Sequence, residues 1–259
     1  MNYKMTLAYD GSRYDGWQKQ GNTDRTIQGK LEAVLSRLAG IPVEVNGAGR
    51  TDAGVHASGQ TASFQIETEL SGREVQDYLN HYLPEDIAVL SLEPAPPKFH
   101  ARLNALGKRY RYQLAFGSAK PVFDRKYLYR VEEALDFDAI SRAAKNMEGT
   151  HDFRSFCANR RMKKSSVRTI FRIGFEVNRE MGRADLVFEG NGFLYHMVRI
   201  LTGTLLEVGT GKKKPGDIEK ILEARDREAA GFTAPPQGLF LENVWYSEER
   251  DEGHKRNYI

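Results

Sequence analysis

The chain has 259 residues, 40% of them hydrophobic, with 38 Lys and Arg against 35 Asp and Glu for a formal charge of +3. That length holds one large domain or two small ones sharing an interface, and the composition excludes disorder as the main state. A charge of +3 is too small to name a nucleic acid partner, and a single cysteine, Cys157, excludes an internal disulfide and a cysteine-rich zinc cluster.

Tyr3 to Tyr9 reads as a strand that follows the first residues directly, without the apolar stretch of a signal peptide. Ile27, Leu31, Val34, Leu35 and Leu38 then stripe a helix that Gly40 closes. Pro42 to Val45 and Gln60 to Ile66 are short strands, Ser71 with Glu74 opens a second helix as a capping box, and Asp86 to Leu92 is a strand. The order is βαββαβ, the split βαβ pattern of ferredoxin-like folds. Residues 105–259 repeat it: a strand from Leu106 to Phe116, a helix on Phe137, Ile140, Ala144 and Met147, then paired strands alternating through Val167 to Val177 and Ala184 to Phe188. A helix over Phe193 to Val208, another over Ile218 to Ala224 and a strand from Leu239 to Tyr246 complete the chain. The expectation is an α+β fold of two ferredoxin-like βαββαβ halves, residues 1–104 and 105–259, with mainly antiparallel sheets joined around a cleft. The most apolar stretch, Phe193 to Val208, is interrupted by His196 and Arg199 and is too short to span a bilayer, so a cytoplasmic protein without membrane contact is expected.

A simple hairpin between the middle strands of the first half needs only a few residues, yet the chain spends Gly47 to Gly59 there. Its Gly47-x-Gly49 start fails as a dinucleotide fingerprint, because Asp52 occupies the third glycine position and would repel a pyrophosphate. Gly209-Thr210-Gly211-Lys212 fails as a P-loop, since Leu206 replaces the first glycine. What remains is Asp52 beside Arg50 on a glycine-rich loop. An isolated loop Asp more often closes an Asx-turn, but a neighbouring guanidinium keeps it ionised and fit to act as nucleophile or base.

Strand alternation puts Tyr110, Tyr112, Leu114 and Phe116 on one sheet face and Arg109 and Arg111 on the other. Leu114 and Phe116 read as core, whereas Tyr110, near the strand's start, is placed to stack on an unpaired base. Arg199 lies within an apolar helix with no acid between Glu189 and Glu207, so it either reaches solvent or pairs with a distant carboxylate, for which Asp52 is the candidate. The six histidines lack metal-binding spacing, and no metal is expected. Residues 98–130 carry +8 and residues 153–175 carry +7, the latter through Arg154, Arg160, Arg161, Lys163, Lys164, Arg168 and Arg172, which leaves −12 elsewhere. Two basic stretches interleaved with aromatics look like phosphate contacts lining the Asp52 cleft.

Several blocks together resemble the tRNA pseudouridine synthase A family: Tyr9-Asp10-Gly11 with Gly16-Trp17-Gln18, Gly49-Arg50-Thr51-Asp52-Ala53-Gly54-Val55-His56-Ala57, Lys108-Arg109-Tyr110-Arg111-Tyr112, Gly192-Phe193-Leu194-Tyr195-His196-Met197-Val198-Arg199, and Ala234-Pro235-Pro236 with Gly238-Leu239. The resemblance runs through nearly the whole chain in order. It implies an enzyme that isomerises uridine to pseudouridine at positions 38, 39 and 40 of the anticodon stem-loop of tRNAs, flipping the base, as a homodimer with neither cofactor nor metal. By the same resemblance Asp52 is the catalytic aspartate, Tyr110 packs on the target uracil, Arg199 pairs with the aspartate, Arg50 helps displace the base, and Leu239 matches an apolar residue of the active site. Arg109, Arg111, Arg160, Arg161, Lys163, Lys164 and Arg168 are the expected RNA-binding set. Two other readings stay open on sequence alone: a non-catalytic RNA-binding module, and an enzyme of the same kind with another RNA target.

Overall fold

A computed structural model describes residues 1–118, 120–159 and 161–247. The alternating pattern of β1 (Asn2–Tyr9) buries Tyr3, Met5, Leu7 and Tyr9. Helix α1 (Ile27–Ala39) starts where the Thr26 hydroxyl accepts from the Gly29 N–H and stops at Gly40, whose φ of 71° is left-handed and suits a residue without a Cβ. Strands β2 (Val45–Gly47) and β3 (His56–Gln65) flank the long loop, and α2 (Gly72–Tyr82) opens with the Ser71–Glu74 capping box before β4 (Ile87–Pro94). The remainder runs β5 (Gly107–Phe116), β6 (Tyr129–Val131), α3 (Phe137–Lys145), β7 (Gly149–Asp152), β8 (Val167–Asn178), β9 (Arg183–Gly190), α4 (Met197–Gly209), α5 (Asp217–Ala224) and β10 (Leu239–Trp245).

The strands form one ten-stranded sheet in the order β4-β1-β3-β10-β5-β9-β8-β7, with β2 also on β3 and β6 also on β5. Within it, β4-β1-β3-β2 and β10-β5-β9-β8 follow the same permuted order, each from a β-α-β-β-α-β sequence of major elements. The two expected sheets are joined edge to edge into a single continuous one. The join is a parallel pairing of β10 with β3, Phe240 opposite His56 and Leu241 opposite Ala57. Gly59 permits it, since a Cβ there would collide with the Glu242 carbonyl.

Helices α1 and α2 pack together, as do α3 and α4. Tyr3 stacks on Phe64 and meets Gly72 at the start of α2, while Phe116 meets Phe137 of α3 edge-on. Two short strands, β6 and β7, are additional to the sequence reading. The helix expected from Phe193 begins only at Met197, because His196 takes a left-handed φ of 60° that breaks the helical run. Among the described residues, no helix is long and apolar enough to cross a membrane.

Candidate active site

The loop between β2 and β3 is clamped from beneath. Thr51 is buried, its hydroxyl 2.8 Å from the Tyr9 phenol, and its carbonyl accepts from the Trp17 N–H at 3.0 Å. Gln60, fully buried in β3, accepts from the Gly49 N–H and donates to the Gly49 carbonyl at 2.8 Å. Gly11 and Gly16 let the chain pass close, for a Cβ on Gly11 would strike the Val55 carbonyl and one on Gly16 would stand 2.8 Å from the Thr51 oxygen. His56 ties a third segment in: its Nδ1 accepts from the Gly11 N–H at 3.1 Å and its Nε2 faces the Lys126 carbonyl at 3.1 Å. Burial keeps this imidazole below its ordinary pKa, against the opposing pull of Asp10.

Held so, Asp52 faces the start of α4 across the cleft. Arg199 Nη1 donates to Asp52 Oδ2 at 3.2 Å, and His196 Nε2 stands 3.5 Å from the same oxygen. The Arg199 Nε donates to the Ala234 carbonyl at 2.7 Å, so the guanidinium is fixed at two points. Both ends of the pair are mostly buried, with 13% of the Arg199 side chain and 18% of the Asp52 side chain exposed. Removing either would strand a charge in a poorly solvated place. Burial also lowers the His196 pKa, with Arg199 and Arg227 acting in the same direction and Asp52 opposing them.

Asp52 opens into a cavity of about 810 Å³. Tyr110 forms its floor, 8% exposed and edge-on to Phe193 at 5.2 Å, and burial pushes its phenol above the ordinary value. Leu239, at the first residue of β10, adds an apolar wall, and the exposed Arg50 stands at the rim. Arg102 and Lys108 line the same cavity. The Lys108 ammonium donates to the Ala48 carbonyl at 2.7 Å, and burial, aided by repulsion from Arg102 and Arg168, lowers its pKa to about 8.

The structure thus brings Asp52, Arg199, Tyr110, Arg50 and Leu239 to one cavity. It divides the expected RNA-binding set. Arg109 and Arg111 require correction: they occupy the sheet face away from Tyr110, where Arg109 pairs with Glu189 and Arg111 with Asp185, Glu242 and Glu176. Strand alternation forces that placement, and four carboxylates neutralise the two cations. Arg161, Lys163 and Lys164 are exposed on the segment that follows Asn159, a cavity residue, and Arg168 lies against Gly192 next to Lys108. Arg160 falls outside the described residues.

Comparison with known proteins identifies the family. The family model for tRNA pseudouridine synthase matches residues 5–104 and 143–247. The chain belongs to the tRNA pseudouridine synthase family. The curated relatives include tRNA pseudouridine synthase A of Bacillus sp. (strain KSM-64), 45% identical over 243 residues that cover 94% of this chain and 98% of that protein. tRNA pseudouridine synthase A 2 of Bacillus anthracis is 44% identical over the same coverage, and tRNA pseudouridine synthase A of Geobacillus sp. (strain WCH70) is 44% identical over 94% of this chain and 97% of that one. As a pseudouridine synthase the protein is an isomerase, and uridine in tRNA is what such an enzyme rearranges.

The family match includes Arg50, Asp52, Arg199 and Leu239, and leaves Lys108 and Tyr110 between its two segments. For this pseudouridine synthase, reading the sequence by motif missed His196 at the carboxylate and did not set Lys108 apart from the rest of its basic stretch. His196 stands three residues before Arg199, a spacing that would have shared a face only had the helix begun earlier. Lys108 is indistinguishable in sequence from its paired neighbours Arg109 and Arg111.

Proposed function

We propose that this synthase isomerises uridine to pseudouridine at positions 38, 39 and 40 in the anticodon stem-loop of tRNAs, using Asp52 as the catalytic carboxylate. The observation that carries the proposal is a carboxylate held by Arg199 at 3.2 Å within a cavity floored by Tyr110. The reaction breaks the N1–C1′ glycosidic bond, turns the uracil and joins C5 to C1′, the proton on C5 being replaced by one on N1. Nothing is oxidised or reduced and no group is added, so the reading calls for no cofactor or metal. Asp52 can attack C1′ or C6, or take a proton from the sugar, and each of these steps uses the carboxylate in its ionised form.

Tyr110 and Leu239 hold the detached uracil and keep water from C1′, which would otherwise complete a hydrolysis. Arg50, at the rim, takes the place the target base leaves in the stem. Extruding that base costs a few kcal/mol, and phosphate contacts from Arg102, Lys108, Arg161, Lys163, Lys164 and Arg168 offset it. Arg160 belongs to the same proposed set by its place in the sequence. The enzyme acts in the cytoplasm as a homodimer on this reading.

The test is Asp52→Asn with tRNA carrying tritium at C5 of uridine. Tritium release is expected to vanish while tRNA binding stays near that of the unaltered protein. Turnover by the variant would overturn the role of Asp52, and pseudouridine mapped outside positions 38, 39 and 40 would overturn the choice of target.

A further inference from the structure

Two side-chain nitrogens approach one oxygen of Asp52, one of them as a hydrogen-bond donor. Arg199 Nη1 lies 3.2 Å and His196 Nε2 3.5 Å from Oδ2, and no hydrogen bond among the described residues reaches Oδ1. His196 arrives there at a cost. Its φ of 60° and ψ of 7° are left-handed, a conformation shared among described non-glycine residues only with Arg225, and one that strains a residue with a side chain. The strained turn is locked on both sides: Ile200 N–H donates to the His196 carbonyl at 3.0 Å, and Ala158 N–H donates to the Tyr195 carbonyl at 3.1 Å. The imidazole packs on Tyr195 with ring centroids 3.8 Å apart, which fixes its plane.

We propose that His196 is a positioning residue for the reaction: with Arg199 it grips Oδ2 of Asp52, so that Oδ1 is the oxygen presented to the target nucleotide. The inference rests on Asp52 being the catalytic carboxylate. One donor alone leaves a carboxylate free to swing about its Cβ–Cγ bond, whereas two donors from different directions on one oxygen fix the plane of both. The charged and titratable groups facing the ring are Asp52, Arg199, Arg227 and Tyr195, and burial together with the two arginines favours a neutral imidazole, whose Nε2 proton would point at Oδ2. At 3.5 Å the contact is long, and contacts of this kind shorten when substrate fills a site.

The test is His196→Gly. Glycine adopts a φ of 60° without strain, so the variant keeps the backbone and loses only the ring, and its melting temperature is expected to match or exceed that of the unaltered enzyme. With tritiated tRNA, kcat is expected to fall about 10- to 100-fold, the worth of one hydrogen bond to a charged group, with KM little changed. Free imidazole, entering the space the ring vacates, is expected to restore part of kcat. Unaltered kcat in His196→Gly, or a loss that imidazole does not reverse, would overturn the proposal. Asp52→Asn is assayed in parallel, and turnover there would overturn the reading beneath it instead.

Discussion

Lys108 and Arg111 are three residues apart on one strand and do opposite work. Lys108 reaches the cavity with a backbone carbonyl as partner, whereas Arg111 is enclosed by Asp185, Glu242 and Glu176 on the other face. Lys108→Met is expected to lower the slope of log affinity for tRNA against log salt by about 0.7–0.9, one phosphate contact. Its ammonium, with a pKa of about 8, is charged at pH 7 and loses that charge as pH rises through 8, so wild-type binding weakens towards pH 9 and the variant's dependence is flatter. Arg111→Ala is expected to leave the salt slope unchanged and to lower stability, because three carboxylates lose their cation. Filter-binding titrations over salt and pH check both variants, and a salt slope reduced by Arg111→Ala would return that residue to the RNA-binding set.

At the level of elements, the join between β3 and β10 brings together the two halves that line the cavity. Leu239 begins β10, where the strand's pairing with β5 sets it opposite Tyr112 and in the lining of the Asp52 cavity. Gly59→Ala would press a methyl group into the Glu242 carbonyl. The expected outcome is a loss of about 1–3 kcal/mol, the usual cost of overpacking, seen as a lower urea midpoint with an unchanged m value. Turnover should fall with it as Leu239 shifts; a variant with the wild-type midpoint would show that the join tolerates a side chain. Most elements were legible because their signals are local: the Ser71–Glu74 capping box, the glycine closing α1 and the alternation of β1 each act within a few residues. The start of α4 was not, because its apolar run continues through residues 193–196 while the backbone leaves the helical region at His196. Nor were β6 and β7, three and four residues long, each of which depends on a partner strand for its hydrogen bonds.

Across the whole molecule, the small net charge is a cancellation of local excesses, but the cancellation is more intimate than a basic face against an acidic one. Part of the basic excess, Arg109 and Arg111, is neutralised within the sheet itself. Arg102, Lys108 and Arg168 are left near the Asp52 cavity, where none of them pairs with a carboxylate among the described residues. The protein is expected to elute with twice its chain mass of 29.4 kDa in light scattering, as the proposed homodimer requires, and a monomeric mass would contradict that assembly.

The sequence by itself determined the order of the major elements, the long loop that carries Asp52, and the face on which Tyr110 stands, because periodicity and turn chemistry are properties of neighbouring residues. It also raised Asp52 as the partner of Arg199, since an arginine in an apolar helix with no acid nearby has to find its counter-charge far away. Only the tertiary structure decided that the pair meets, across 147 residues of chain, and that His196 joins it. It alone separated Lys108, which lines the cavity, from Arg109 and Arg111, which pair with carboxylates on the other face. Pairing between distant residues depends on how the strands are ordered in space, and that order is fixed by packing and closure of the sheet rather than by any signal within one segment.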